Sequence, residues 1–370
     1  MRLIRLNYNE LTENNDRNPW ILNGLSLSDF NLIIGKNTTG KSRTVRVIVG
    51  LANIIASKAP LTNGTWHAEF EDYVGSDSAK FEYDLVINGR KVVSEKITIN
   101  NELKLERNGS TKIFSETSKK FVQIEPPDDR LVLHIRRDKV EYNFFENLVE
   151  WSLRVRGYEF SDVKPGDILI DKEATSLVRL NTVPQVTELL RPETLQTTIN
   201  EFNTIGYKIE NIEVNKINVA PIEAKVLDIK EKGIKFLINQ KDLSQGMFRA
   251  LALLIFINYL QERNEASTIL VDDLCEGMDY ERATNFAKLI FDKIRNANIQ
   301  LIATSNDSFL MNVIDIDHWN ILIREDTVVN AYNYANSKAI FDEFKSTSLN
   351  NFDFFSSSYY AKLGASTKKN

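Results

Sequence analysis

The segment LIIGKNTTGKSRTV, residues 32–45, carries a glycine-rich pattern that is compatible with few structures. The pattern is G-x-x-x-x-G-K-S, filled by Gly35, Lys36, Asn37, Thr38, Thr39, Gly40, Lys41 and Ser42. A strand pattern at 31–34 precedes it, and apolar residues at helical spacing follow it at 41–57. In such a loop the backbone N–H groups turn inward, the lysine reaches the β- and γ-phosphates, and the serine ligates Mg²⁺. The sequence therefore predicts a site for a nucleoside triphosphate.

The bulk composition argues against several other classes of protein. The 370-residue chain has a net charge of −5, which is not typical of a generally basic nucleic-acid binder. Its single cysteine, Cys275, excludes an internal disulfide framework and is typical of a reducing compartment. No apolar run is long enough to cross a bilayer, and the first ten residues alternate like a strand. We therefore expect a cytoplasmic protein with no membrane partner.

One local cluster of basic residues has two interpretations. It comprises Arg136, Arg137 and Lys139 in HIRRDK, joined by Arg154 and Arg156 in LRVRG. The cluster is either a patch that contacts nucleic acid or a solvated charged surface, and the second interpretation is favoured because charge runs usually lie in solvent. Nucleic acid therefore stays a possible partner.

The apolar pattern changes along the chain and predicts an α/β fold. Short alternating strands at 65–140 predict an antiparallel β-rich lobe. From residue 243 onward apolar strands alternate with helices, as in a mixed or parallel core sheet covered on both faces. We predict one composite unit, 1–370, with a nucleotide-binding core (1–60 and 235–335), the β lobe (65–140), a mixed helical and β insert (141–234), and a C-terminal helix with an aromatic tail (336–370). The tail either packs on the core, which we favour, or forms a partner surface.

Two further motifs place acids and a serine where a nucleotide site needs them. The apolar strand in TILVDD ends in Asp272 and Asp273, and a carboxylate in that position holds Mg²⁺ opposite the γ-phosphate. The motif DLSQGMFRA puts Ser244 at the start of a long helix and Gly246 in its first turn, where the backbone can approach a ligand. A helix N-terminus with a serine cap is an anion site.

The order of these motifs resembles the ABC-type ATPase head, a P-loop NTPase. LSQGM is similar to the family's signature motif, ILVDD to its Walker B strand, and Gly277, Met278 and Asp279 to its D-loop. The long interval between phosphate loop and signature is similar to the RecF, SMC and OLD-nuclease branch. Within that branch the chain looks most like compact stand-alone ATPases of bacterial defence and toxin–antitoxin operons.

The resemblance implies a dimer in which two chains enclose two ATP molecules head to tail. The phosphate loop of one chain would bind a nucleotide that Ser244, Gln245 and Gly246 of the second chain also contact, with Asp279 at the same interface. A serine-capped helix dipole suits that role because it attracts an anion.

Gln123 and Arg43 each keep two possible roles at this point, and the adenine contact keeps two candidate residues. Gln123 in FVQIEPP is either the Q-loop residue that contacts Mg²⁺ or an ordinary strand residue. Arg43 either contacts phosphate or lies in solvent, and either Tyr8 or Trp20 is a possible stacking partner for adenine.

Two positions depart from the family pattern. Asp273 stands where the family usually has a glutamate that acts as general base, and its carboxylate is one methylene shorter. A retreat of about 1.5 Å can cost on the order of a hundredfold in rate, because hydrolysis depends on in-line placement of water. Asn306 stands where the family generally has a switch histidine; it can donate a hydrogen bond but cannot become cationic. With Lys41, these two residues form the predicted catalytic set, and together they predict slow hydrolysis.

The sequence therefore predicts a slow Mg-ATP-dependent ATPase that dimerises around nucleotide and acts as a sensor or clamp. As the resemblance implies, it would control a partner effector protein in bacterial defence against phage. Two alternatives remain: a regulatory scaffold that binds nucleotide without hydrolysing it, and a RecF-like ATP-dependent DNA clamp in repair.

Overall fold

The computed structural model describes residues 1–11, 19–74, 77–160, 165, 169–170, 183–219, 222–295 and 297–366. Contacts divide the chain into two compact units. The first unit comprises Met1–Gly157, Ile316–Leu349 and Phe354–Asn370, and the second comprises Tyr158–Asp315 and Asn350–Asp353. Residues 1–60 and 235–335, the predicted nucleotide-binding core, contribute to both units.

Strands and helices alternate along much of the chain. The strands are β1 (Arg2–Asn9), β2 (Ile21–Ser26), β3 (Phe30–Gly35), β4 (Gly64–Val74), β5 (Asp77–Asn88), β6 (Lys91–Ile99), β7 (Glu102–Asn108), β8 (Ser110–Ser115), β9 (Lys120–Ile124), β10 (Val155–Glu159), β11 (Leu169–Ile170), β12 (Ile209–Val219), β13 (Ile222–Glu231), β14 (Ile238–Asn239), β15 (Ser267–Asp272), β16 (Ile299–Thr304), β17 (Trp319–Glu325) and β18 (Val328–Tyr332). The helices are α1 (Lys41–Ile55), α2 (Val132–Ile135), α3 (Phe144–Leu153), α4 (Val183–Glu188), α5 (Pro192–Thr204), α6 (Gln245–Glu262), α7 (Tyr280–Arg295), α8 (Ser308–Val313), α9 (Tyr334–Lys345), α10 (Asn351–Ser356) and α11 (Ser358–Ser366).

The first unit is built on a large mixed sheet. Its described strands follow the order β3-β17-β18-β2-β1-β4-β5-β6-β7-β8-β9. β3 is parallel to β17, and β18 is parallel to β2. From β4 to β9 each strand is antiparallel to the next, which confirms the predicted antiparallel lobe. Short turns suffice for that meander, because antiparallel neighbours need no crossover.

The strand and helix that flank the phosphate loop are both buried, which fixes the loop between them. All six residues of β3 are buried, as expected of a strand covered on both faces. Helix α1 buries one stripe, including Val45, Ile48, Ala52 and Ile55. That spacing of three and four residues is typical of a helix with one face on the core.

The second unit holds the other predicted core strands. β15 and β16 are parallel and fully buried, which confirms the expected parallel pairing. Helix α6 is buried on all sides from Gly246 to Leu260, as its nearly uninterrupted apolar sequence requires. A smaller sheet pairs β13 with β11, β12 and β14. Within the part of the chain that the structure describes, no helix combines the length and apolarity needed to span a membrane.

The aromatic tail packs into the first unit, as predicted. Phe354 is fully buried, and its ring lies 5.1 Å from Phe341, 4.9 Å from Phe344 and 6.4 Å from Trp319, measured between centroids. Leu363 of α11 is also fully buried. Aromatic pairs at these separations stabilise a core by more than their buried area alone.

A buried carboxyl group lies inside the β lobe. Glu95 on β6 is 0% exposed; it accepts hydrogen bonds from the Tyr83 hydroxyl (3.1 Å) and from the Val132 backbone N–H (2.9 Å). Burial raises its pKa to about 7, although both hydrogen bonds and the nearby Arg107 guanidinium act in the opposite direction. Desolvation dominates because the two hydrogen bonds and the charge of Arg107 do not fully replace the water that the charged form loses.

This carboxyl group should make the protein less stable as the pH rises. A group whose pKa is higher in the folded state stabilises the fold below its unfolded pKa, and that contribution is lost as pH rises through the folded value. We therefore expect the melting temperature to fall between pH 5 and pH 8, by an amount that corresponds to on the order of 2–3 kcal/mol. Glu95→Gln should flatten this dependence in thermal unfolding experiments, because its Oε1 can accept the Val132 N–H while its Nε2 donates to the Tyr83 hydroxyl oxygen.

Glu106→Gln on β7 is the matched control. Its ion pair with Lys112 lowers the pKa of Glu106, so its titration falls below this pH window. An unchanged slope in Glu95→Gln would contradict the assignment.

Candidate nucleotide site

The phosphate loop of the first unit closes around the Lys41 side chain. Lys41 Nζ donates hydrogen bonds to the carbonyl oxygens of Gly35 (3.0 Å) and Lys36 (3.4 Å). The Thr39 hydroxyl donates to the same Lys36 carbonyl at 2.9 Å. Thr38 and Gly40 have φ values of +68° and +99°, so the backbone makes its turn in the left-handed region. These contacts hold the loop in a compact arch at the start of α1.

Both glycines of the motif lie where a β-carbon does not fit. A β-carbon on Gly35 would lie 2.6 Å from Thr39 Oγ1 and 2.9 Å from the Leu322 carbonyl oxygen. One on Gly40 would lie 2.8 Å from Trp20 Cζ2. Gly40 is the N-cap of α1 and contributes no side-chain cap, so the first N–H groups of a 15-residue helix lack that partner. An arch with uncapped N–H groups and a buried lysine fits a polyphosphate.

Two residues remote in sequence support this loop and were not predicted. Arg324 at the end of β17 donates from Nη1 to the Thr38 carbonyl at 3.1 Å. Lys36 Nζ lies 5.2 Å from the ring centroid of Tyr360 on α11. Nothing in the local pattern indicates either contact, because both depend on how distant segments pack.

Arg43 contacts Glu10 and Trp20, and its side chain remains 43% exposed. Its guanidinium pairs with the Glu10 carboxylate at 2.5 Å and lies 4.9 Å from the Trp20 ring centroid. Trp20 is 2% exposed and Tyr8 is 8% exposed, and their rings lie 5.9 Å apart. Neither ring presents an open face to solvent, so the arrangement does not match the expected adenine stacking. Ser42, the predicted Mg²⁺ ligand, lies half-buried in the first turn of α1.

Gln123 is not brought to the phosphate loop. It lies on β9, ten strands along the sheet order from β3, and adjacent strands are about 4.8 Å apart. Its side chain lines a different cavity of about 850 Å³ in the β lobe, together with Lys91 and Arg107. The structure therefore favours the ordinary strand residue over the predicted metal-contacting one.

In the second unit, Thr304 organises the acidic end of β15. Its hydroxyl donates to Asp272 Oδ1 at 2.5 Å and accepts the backbone N–H of Asp273 at 2.9 Å. Its carbonyl accepts the Leu274 N–H at 2.9 Å. Asp272 is 7% exposed, so its carboxylate is oriented by this contact. An oriented carboxylate oxygen is a ligand that Mg²⁺ prefers.

Asp273 and Asn306 line one cavity. It has a volume of about 360 Å³ and also includes Glu276, Ser305 and Asp307. Asp273 has φ +56°, in the left-handed region that aspartate enters more readily than most residues. The left-handed backbone conformation therefore gives a physical reason why position 273 has an aspartate and not the longer glutamate.

Ser244 is the N-cap of α6. Its Oγ accepts the Met247 N–H at 3.3 Å, and within the described part of the chain no acceptor binds its hydroxyl proton. Both Ser244 and Gln245 are exposed. Gln245 Oε1 accepts from Arg249 Nη2 at 3.2 Å, and Arg249 Nη1 donates to the Glu276 carbonyl at 3.3 Å. Arg249, which the sequence did not indicate, thus connects the start of α6 to the loop after β15.

Gly246 is required for packing inside the second unit. A β-carbon there would lie 2.6 Å from the Gly277 carbonyl oxygen. The sequence predicted that this glycine admits a ligand, whereas the structure uses it to admit the loop that contains Gly277. Helix α6 and the loop that contains Gly277, the predicted D-loop, are therefore in direct contact.

Asp279 in that loop stabilises the start of α7. Its carboxylate accepts the Arg282 backbone N–H at 3.1 Å and pairs with the Arg282 guanidinium at 3.0 Å. The backbone hydrogen bond and the charge of Arg282 lower the pKa of Asp279. The side chain is about half exposed.

Acidic neighbours offset part of the basic cluster. Arg137 makes a bidentate contact with Glu146, with both distances at 2.6 Å, and Arg154 pairs with Glu150 at 3.5 Å. Arg156 donates to the Leu153 carbonyl. The solvated charged surface is therefore the better description of these side chains.

Comparisons with known proteins identify the fold. No protein-family model and no curated protein matches the sequence. A solved SMC head bound to the C-terminal winged-helix domain of ScpA aligns with a TM-score of 0.53 and 12% identity, over 92% of this chain and 99% of that chain. An SMC head with an extended coiled coil, bound to the C-terminal domain of ScpA from Pyrococcus furiosus, aligns with a TM-score of 0.50 and 11% identity, over 93% and 100% of the two chains. The chain has the α/β fold of these SMC head domains.

Proposed function

We propose that this protein binds Mg²⁺ and ATP, dimerises around the nucleotide and hydrolyses it slowly. The observation that carries the proposal is the arch from Gly35 to Ser42, with its buried lysine and uncapped helix start. The SMC-head fold supports it, because the arch occurs in a chain with the overall fold of an ABC-type ATPase.

Each predicted residue has a distinct task in this proposal. Lys41 and the loop N–H groups would bind the phosphates, and Ser42 would supply a hydroxyl oxygen to Mg²⁺. As the motif resemblance implies, the Asp272 carboxylate would be the other protein ligand of the ion. The ion would supply positive charge that offsets the charge of the phosphates. Asp273 positions the attacking water, and Asn306 donates a hydrogen bond to the terminal phosphate.

The dimer follows from the exposed start of α6. Ser244 offers a hydroxyl proton and a helix N-terminus, which together attract an anion. Because Ser244 and Gln245 are exposed, the nucleotide of a second chain can reach them. Gly246 then acts indirectly, by letting α6 pack on the loop that contains Gly277.

Slow turnover suits a sensor or clamp that controls a partner protein. Asp273 holds its carboxylate on a short side chain, and Asn306 cannot become cationic. The solved SMC heads in the comparison are bound to ScpA domains, which supports the idea that this fold engages partners. The hypothesis of a defence role rests on the motif resemblance alone.

The DNA-clamp alternative has less support. A DNA clamp needs cations available for phosphate, yet Arg137 and Arg154 are paired with acids. A non-hydrolysing scaffold is distinguished by measuring phosphate release against a Lys41→Ala control.

We expect ATP with Mg²⁺ to convert the protein from monomer to dimer, as measured by gel filtration with light scattering. Lys41→Ala should weaken ATP binding at least about tenfold, or ~1.4 kcal/mol, and abolish the shift. Ser244→Asp should bind ATP like the wild type yet remain monomeric, because its carboxylate repels the phosphate of the second chain.

Aspartate is also a strong N-cap, so Ser244→Asp preserves α6 and separates dimerisation from stability. Ser244→Thr, which keeps both the cap and the hydroxyl, is the matched control and should still dimerise. Normal dimerisation of Ser244→Asp would refute the proposed contact.

We expect Asp273→Glu to raise steady-state phosphate release severalfold, since the longer side chain moves the carboxylate toward the water. Asp273→Asn should abolish turnover, whereas Glu276→Gln, in the same cavity, should leave it unchanged. A large loss of activity in Asp273→Glu would show that the site is built around the shorter acid at φ +56°.

A further inference from the structure

The indole ring of Trp20 lies directly against the phosphate loop. Three ring atoms, Cζ2, Nε1 and Cε2, lie 2.8, 3.0 and 3.1 Å from the position that a Gly40 β-carbon would occupy. Gly40 has φ +99° and is the N-cap of α1. The ring edge therefore bounds the residue at which the loop turns into the helix.

Glu10 and Arg43 hold the ring in place. The Glu10 N–H donates to the Trp20 carbonyl at 2.9 Å, and the Trp20 N–H donates back to Glu10 Oε2 at 3.2 Å. The other carboxylate oxygen of Glu10 pairs with Arg43, whose guanidinium lies over the ring. A cation on the aromatic face, one backbone–backbone hydrogen bond and one backbone–carboxylate hydrogen bond together limit movement of the indole.

Hydrogen bonding by the indole nitrogen does not explain why a tryptophan occupies position 20. Trp20 Nε1 is buried and, among the described residues, finds no hydrogen-bond partner. A buried donor without a partner costs about 1–3 kcal/mol. That cost is offset where packing requires the shape of the indole ring. At position 20 the edge of the ring packs against the backbone of Gly40.

We propose that Trp20 is a positioning residue for the phosphate loop. Its ring sets the backbone of Gly40 and thereby aims the N–H groups at the start of α1 toward the phosphates. Glu10 and Arg43 act through the ring. This inference rests on the proposed function, because it assumes that the loop binds a nucleoside triphosphate.

Trp66 provides a matched control for the test. It is 3% exposed, its indole nitrogen is also buried without a partner among the described residues, and its ring packs on Tyr8 at 5.1 Å and over Gly64. Trp20→Phe and Trp66→Phe therefore remove the same atoms from the same aromatic cluster. Only Trp20→Phe removes the edge that bounds Gly40.

We expect the two variants to lower the melting temperature by similar amounts and to differ in nucleotide binding. Calorimetric titration with MgATP should show about five- to tenfold weaker binding for Trp20→Phe, and less than a twofold change for Trp66→Phe. Amide hydrogen exchange without nucleotide should be faster at 36–44 in Trp20→Phe alone. If Trp20→Phe does not fold, the same comparison is made with Trp20→Tyr and Trp66→Tyr.

The possible failures are distinguishable. If the wild type binds MgATP, and Trp20→Phe and Trp66→Phe show the same MgATP affinity and the same amide exchange at 36–44, the role of Trp20 is overturned. The proposed function then remains intact. No MgATP binding by the wild type would overturn the proposed function itself, and the exchange measurement would still test whether the ring orders the loop.

Discussion

The close approach of neighbouring atoms to glycine backbones is the constraint on which the phosphate loop of the first unit and the start of α6 in the second unit each depend. Gly35 is pressed against Thr39 and Leu322, and Gly40 against Trp20. Any side chain at these positions would force the loop open, and Gly40 also needs a backbone conformation that other residues rarely adopt. The loop can therefore be tight enough for its N–H groups to converge.

A closely approached glycine backbone also occurs in the second unit, where it brings together a helix and a loop. Gly246 lets the start of α6 contact the loop around Gly277, and Arg249 joins that loop to Gln245 by side-chain hydrogen bonds. Thr304 meanwhile ties the acidic end of β15 to β16. The start of α6, the acidic end of β15 and the loop that contains Gly277 thus belong to one packed arrangement within the second unit.

The sequence predicted the site well where the chemistry is local. The motif from Gly35 to Ser42, the buried strands and the parallel pairing of β15 with β16 all follow from spacing and apolar pattern. It did less well where a residue's role depends on distant packing. Gln123 matched a family pattern but lies far along the sheet, because strand order is not encoded in any local window. For Arg137 the sequence left two interpretations open, and the contact with Glu146 agrees with the favoured one, a solvated charged surface.

What the sequence by itself determined is the chemical inventory and the local conformations: a phosphate loop, an acidic strand end and a serine-capped helix. Tertiary structure alone decided which partners each group has. It placed Trp20 against Gly40 and set Arg324 on Thr38. It also buried Glu95 deeply enough to raise its pKa to about 7. The physical reason is that backbone propensity and hydrophobic periodicity act over a few residues, whereas contact, desolvation and hydrogen bonding act between segments that only the folded chain brings together.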